Sequence, residues 1–240
     1  AVWITNLFQV VCAAFLLVFA GISELITRRR LYLFGLATFV VAALGAALSR
    51  NLETLLVFRA FQGLGAAATL SIGPSLYRAI FPSRLLGSAL GLSALVVAGG
   101  YAAGPTLSGV ILSFADWPWL FALNVPLGLC SLWLAKRALP REEPRKGSFD
   151  VAGALLSIVM LASFFIAMDA VSHAAPLWQS GGWVLLAVLA CAGFIARQRR
   201  APYPLLPLSV FAELRFTLAV SASGLAFIGQ GLTFVALSFF

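Results

Sequence analysis

All sixteen lysines and arginines of this chain except Arg50 and Arg59 fall in, or at the edges of, every second gap between long apolar stretches. The stretches lie near 3–22, 31–48, 55–77, 87–115, 119–135, 150–170, 181–197 and 214–240. Most are on the order of 17 to 25 residues, the length a helix needs to cross the hydrocarbon layer of a bilayer. The chain is 62% hydrophobic and 10% charged, with a mean hydropathy of +1.02, more apolar surface than a water-soluble domain can cover. No stretch alternates with period two, and an unpaired backbone group in lipid costs several kcal/mol, so the spanning elements are helices. The expectation is an all-α membrane protein of eight spans.

Orientation follows from the basic residues. Gap 23–30 holds Arg28, Arg29 and Arg30; gap 78–86 holds Arg78 and Arg84; gap 136–149 holds Lys136, Arg137, Arg141, Arg145 and Lys146. Gap 198–213, with its helix edges, holds Arg197, Arg199, Arg200 and Arg215. Loops rich in lysine and arginine stay in the cytoplasm, so these four are expected inside and residue 1 outside, in the inner (plasma) membrane. The net charge of +8 then belongs to one membrane face and its anionic lipids, and no nucleic-acid partner is implied.

The chain opens on Ala1-Val2-Trp3 and stops at Phe239-Phe240 inside an apolar run, which reads as a fragment. Cys12, Cys130 and Cys191 fall within spans, with no Cys-x-x-Cys pair and no neighbouring histidine, so they read as small packing residues. No disulfide framework, metal site or cofactor is implied.

Charged and polar residues inside the spans are the candidate functional groups. Arg59 lies about one turn into the third stretch and is followed by Gln62, Gly63 and Gly65. An arginine at a helix centre costs about 2.5–3.5 kcal/mol on insertion scales, which snorkelling reduces. Gln62 shares its face, and the glycines admit a neighbouring helix. Two readings stand: an anchor near the outer leaflet, or a buried cation that biases the proton affinity of a nearby carboxylate.

The fourth stretch carries Gly99-Gly100-Tyr101-Ala102-Ala103-Gly104-Pro105-Thr106-Leu107-Ser108-Gly109. Gly100 and Gly104 are spaced for close helix contact, and Pro105 frees a backbone carbonyl. Half-broken helices are expected at Pro74, Pro105 and Pro126. Gap 23–30 joins one acid, Glu24, to the triplet Arg28, Arg29 and Arg30. Remaining polar candidates pair at three-residue spacing, Asn6 with Gln9 and Gln230 with Thr233, either as a substrate cavity or as interhelical hydrogen bonds. Asp169 reads as a helix-end acid or a vestibule charge, and His173 as solvated. No carboxylate falls near a membrane midplane.

These segments resemble the major facilitator superfamily, and within it the 14-helix drug:proton antiporter branch. The resemblance covers nearly the whole chain. Gap 23–30 is similar to the family's loop between helices two and three, G-x-L-a-D-R-x-G-R-R, with Glu24 at the acidic position and Arg28 to Arg30 at the basic end. Ala20, Leu25 and Thr27 depart from it. Leu56 to Gly65 resembles the fourth-helix motif whose arginine is linked to proton coupling. Gly100 to Gly109 is similar to the antiporter motif G-x-x-x-G-P-x-x-G-G, with Ser108 in place of one glycine, a motif that distinguishes exporters from importers. Trp117 to Pro126 resembles the start of this branch's sixth helix.

The resemblance implies the following organisation. Residues 1–135 would be helices two to six of the N-terminal bundle, and 136–149 a cytoplasmic linker. Residues 150–197 would be two extra central helices, 198–213 a second linker, and 214–240 the first helix of the C-terminal bundle. It implies an exporter of amphiphilic, cationic drugs or antiseptics in exchange for protons, acting as a monomer. The alternative is an exporter of a metabolite or other small molecule on the same fold. Proton coupling would fall to Arg59 and Gln62. A membrane-embedded enzyme finds no support, because no span pairs a serine with a histidine or carries a metal-binding cluster.

Overall fold

Three caps show how local sequence starts the helices. Thr27 accepts from the Arg30 N–H at 3.3 Å, Asn51 from the Thr54 N–H at 2.8 Å and Asp150 from the Gly153 N–H at 3.1 Å. In this computed structural model residues 2–141, 148–173 and 176–237 are described. Their helices are α1 (Val2–Leu25), α2 (Arg28–Ala47), α3 (Leu52–Leu70), α4 (Gly73–Ile80) and α5 (Ser83–Leu112). Then follow α6 (Pro118–Ala122), α7 (Asn124–Ala138), α8 (Val151–Ser172), α9 (Leu177–Arg200) and α10 (Leu214–Leu237), with a 3-10 turn at Leu208–Ala212. No strand occurs among the described residues.

These helices make eight spans long and apolar enough to cross a membrane, each overlapping one of the expected stretches. Two spans are interrupted. The third turns at Ser71 and Ile72 before α4, which Pro74 opens in the first turn, where its missing N–H is no loss. The fifth breaks at Leu123, three residues before Pro126. The break expected at Pro105 does not occur: α5 runs through it from Ser83 to Leu112.

Packing centres on α3, with α1 on one side and α2 on the other. The α6–α7 pair lies on α2, and the α8–α9 hairpin docks on α1 through α8. The seams are made of small residues, as expected where lipid is as apolar as the side chains and close van der Waals contact drives association. Ala43, Ala46, Ala67 and Ala68 are fully covered. A Cβ on Gly65 would stand 2.6 Å from the Gly35 carbonyl oxygen and 2.7 Å from the Phe39 nitrogen; one on Gly63 would stand 2.7 Å from the Phe8 carbonyl oxygen. Both approaches require glycine. Large apolar side chains such as Phe34, Val41 and Leu225 point outward, the arrangement a lipid solvent favours. Helices α5 and α10 have no buried residue among those described.

Because successive spans alternate in direction, the N-terminus of α2 and the C-termini of α7 and α9 share one end, called here the basic end. Three contacts tie it together. The Nη2 of Arg29 donates to the Lys136 carbonyl oxygen at 2.6 Å, Arg197 pairs with Asp150, and Gly21 of α1 lies against Phe149 and Leu205. Of the 136–149 segment, residues 142–147, including Arg145 and Lys146, lie outside the described residues.

Candidate functional site

Arg59 projects from α3 toward the first turns of α1. The helix begins at Leu52, so the arginine sits seven residues, or about 10 Å, along it, nearly a turn deeper than the sequence suggests. Its Nε donates to the Ile4 carbonyl oxygen at 2.9 Å and its Nη1 to Gln62 Oε1 at 3.0 Å. The guanidinium carbon lies 4.5 Å from the centroid of Phe8 on α1 and 5.8 Å from that of Phe121 on α6. Arg59 is half-buried, while Gln62 is 1% exposed. Among the described residues no carboxylate pairs with Arg59.

This cage suits a guanidinium for specific reasons. Its flat face can lie over Phe8 while its edge reaches two acceptors in different directions, which a single ammonium cannot do. Gln62 lends a neutral acceptor from one turn away. Gly63 lets α1 come close enough for the Ile4 carbonyl to reach Arg59. The predicted pair of Arg59 and Gln62 is therefore brought together. Phe8, Phe121 and the Ile4 carbonyl escaped sequence reading, because aromatic residues are abundant throughout the spans and a backbone acceptor has no signature.

The 23–30 segment lies at the basic end, between α1 and α2. Glu24 is in the last turn of α1, but its side chain lies outside the described residues. Arg28, Arg29 and Arg30 open α2, where the helix dipole disfavours cations. Arg29 offsets this by reaching a carbonyl in the last turn of α7, the negative end of that helix.

The glycine run lies on α5. A Cβ added at Gly100, Gly104 or Gly109 would meet nothing within 4 Å, so this small-residue face is open among the described residues. Pro105 lines a shallow depression there with Val97, Gly100, Tyr101 and Gly104.

The four cavity candidates separate. Asn6 and Gln9 line one cleft between α1 and α8. Gln230 and Thr233 are exposed on α10, where the Thr233 hydroxyl donates to the Gly229 carbonyl of its own helix at 2.9 Å. One polar cluster was not anticipated. Arg197 donates to Asp150 Oδ1 through Nε at 3.0 Å and Nη2 at 2.9 Å, fastening the C-terminus of α9 to the N-terminus of α8. Next to it, Gln198 Oε1 accepts from the Leu206 N–H at 3.1 Å and holds the following linker.

A bundle of apolar spans seamed by small residues, with an arginine and an amide inside and an arginine-rich turn at one end, defines a class. The chain belongs to the Major Facilitator Superfamily, which it matches over residues 1–240, and is therefore part of a multi-pass membrane protein in a family of transporters. It is similar to the uncharacterized transporter YebQ of Escherichia coli (strain K12), 35% identical over 100% of this chain and 53% of that protein. It is also similar to the tetracenomycin C resistance and export protein of Streptomyces glaucescens, 34% identical over 97% of this chain and 44% of that protein. A third relative is multidrug resistance protein 3 of Bacillus subtilis (strain 168), 29% identical over 99% of this chain and 46% of that protein. The chain spans about half the length of these relatives.

Proposed function

We propose that the full-length protein exports amphiphilic, cationic drugs or antiseptics from the cell in exchange for protons, as a member of the 14-helix antiporter branch. The observation that carries this reading is the cage around Arg59: a guanidinium two turns inside a span, held by a carbonyl, an amide and an aromatic face, with no acid paired to it among the described residues. A cation placed in a low dielectric attracts negative charge strongly, so an acid elsewhere in the protein is favoured to ionise when it approaches Arg59. It is favoured to take up a proton when it moves away. Rocking of the two bundles about a midplane site would supply that movement.

The remaining candidates take compatible roles. The basic end faces the cytoplasm of an inner membrane, and Glu24 with Arg28 to Arg30 forms the gating turn there. The open glycine face of α5 around Gly100, Gly104, Pro105 and Gly109 receives a helix of the remaining protein. Residues 150–197 insert between the two bundles, and the transporter works as a monomer in lipid.

The test is efflux of tetraphenylphosphonium from proteoliposomes holding the full-length protein, with and without an imposed pH gradient. Flux that follows the gradient and collapses with a protonophore supports the reading. Gradient-independent flux rejects it. A second cargo class, a metabolite or other small molecule, is favoured by the similarity to the tetracenomycin C resistance and export protein of Streptomyces glaucescens. Growth protection across a panel of antiseptics and dyes separates the two.

A further inference from the structure

Asn6 and Gln9 open onto a cleft of about 340 Å³ between α1 and α8, at the end of the bundle opposite the arginine-rich turns. That volume is within the range of small-molecule sites, roughly 300 to 1,000 Å³. Its wall carries Trp3 from α1 with Phe165 and Met168 from α8, and among the described lining residues the charged one is Asp169. We propose that this cleft is a binding site for a monovalent lipophilic cation, with Asp169 as the counter-ion and Trp3, Phe165 and Met168 against the apolar body. The site concerns the same cargo class as the proposed export function and rests on that reading for its role in transport.

The charge balance of the cleft selects the occupant. Asp169 is 20% exposed, and no lysine or arginine lines the cleft with it among the described residues. Among the described residues the carboxylate has an ion-pair contact with His173, whose Nδ1 lies 3.5 Å from it and 2.9 Å from the Asp169 backbone carbonyl. Nδ1 lies closer to that carbonyl, and to the Ser172 hydroxyl at 3.2 Å, than to the carboxylate, so the shortest contacts of the ring go to other groups. His173 is 61% exposed and faces water. The amides of Asn6 and Gln9 make no hydrogen bond among the described residues, so their oxygens remain available beside Asp169.

Depth completes the argument. Asp169 lies three residues before the end of α8, and Phe165 is one turn further in. A lipophilic cation in a bilayer keeps its charge near the boundary and its body in the acyl layer, because burying an unpaired charge is costly. The cleft repeats that gradient, with the carboxylate, Trp3 and Met168 near the edge and the Phe165 ring a turn further in. Aromatic faces and sulfur both favour such a cation.

The experiment uses the full-length protein with its native cysteines replaced by serine and Met168→Cys introduced, since Met168 is 59% exposed and tolerates a label. The readout is the rate of labelling by a methanethiosulfonate reagent, with tetraphenylphosphonium or neutral triphenylphosphine oxide as competitor. Tetraphenylphosphonium is expected to slow labelling several-fold, triphenylphosphine oxide far less. Adding Asp169→Asn should raise the concentration needed for half-protection by roughly tenfold, and Asp169→Glu should restore it. Equal protection with and without the carboxylate, equal protection by the two competitors, or none by either, overturns the proposal and leaves lipid or another helix as the occupant. Efflux that continues without protection rejects this cleft alone, whereas protection without efflux keeps the cleft and rejects the exporter reading.

Discussion

Arg59 Nε donates to the Ile4 carbonyl oxygen at 2.9 Å, so an arginine two turns inside α3 also clamps that helix to the first turns of α1. Charge and position are thus set by the same group. Its second bond, to Gln62, comes from its own helix and fixes the plane of the guanidinium over Phe8.

Arg59→Ala should reach the membrane at normal levels and abolish gradient-driven efflux, because the packing glycines on α3 are untouched while the cation is gone. Arg59→Lys keeps the charge but loses the planar fork whose Nε and Nη1 reach Ile4 and Gln62 separately while its face lies on Phe8, and is expected to retain about a tenth of the activity or less. Efflux from proteoliposomes, normalised to protein by immunoblot, measures both. Full activity in Arg59→Lys would show that charge alone suffices and would sink the geometric argument.

Gly65 and Gly104 are both glycines in spans, yet they should answer differently to a methyl group. A Cβ at Gly65 meets backbone atoms of α2 at 2.6 and 2.7 Å, which cannot yield without moving the helix. Gly65→Ala should cost about 1 to 3 kcal/mol by overpacking and lower the melting temperature of the detergent-solubilised protein. A Cβ at Gly104 has no neighbour within 4 Å among the described residues. If its face receives a helix of the remaining protein, Gly104→Ala lowers transport while residues 1–240 expressed alone melt unchanged.

The eight spans were legible because lipid imposes length and apolarity on each crossing, and the basic gaps separated them cleanly. Arg59 and Gln62 were legible for the same reason, since a cation in an apolar run stands out and a three-residue spacing puts both groups on one face. The Pro105 break failed because a helix can run through a proline when lost backbone bonds are few, and nothing in the sequence around it forces a turn. The cleft beside Asp169 was invisible because Asn6 and Asp169 are 163 positions apart, and no local pattern says that α8 docks on α1. Asp150 and Arg197 sat at two span edges, and only the hairpin packing of α8 against α9 makes them partners.

That ion pair should behave asymmetrically on mutation. Arg197 is 44% exposed and can turn its charge to water, whereas the Asp150 side chain is 3% exposed. Asp150→Asn keeps an oxygen to cap the Gly153 N–H and frees an arginine that reaches solvent, costing about 1 kcal/mol. Arg197→Ala strands a buried carboxylate on a single backbone donor, costing about 3 kcal/mol. Thermal melting of the two variants in the same detergent checks the order. Equal losses would mean that the aspartate reaches water by another route.

The two ends of α5 give the sharpest test of orientation. The helix has 30 residues, Ser83 to Leu112, and is about 45 Å long, more than the roughly 30 Å of hydrocarbon in a bilayer. Its ends therefore project into the two headgroup layers on opposite faces. Ser83 and Ser113 are both exposed, and neither carries the charge that sets topology. With native cysteines removed, an impermeant maleimide added to intact cells should label Ser113→Cys and spare Ser83→Cys until the membrane is opened. The basic residues Arg78 and Arg84 flank the spared end, as the cytoplasmic bias of positive charge requires. Labelling of Ser83→Cys in intact cells would put the arginine-rich turns outside, and the direction of transport proposed for the molecule would fail with it.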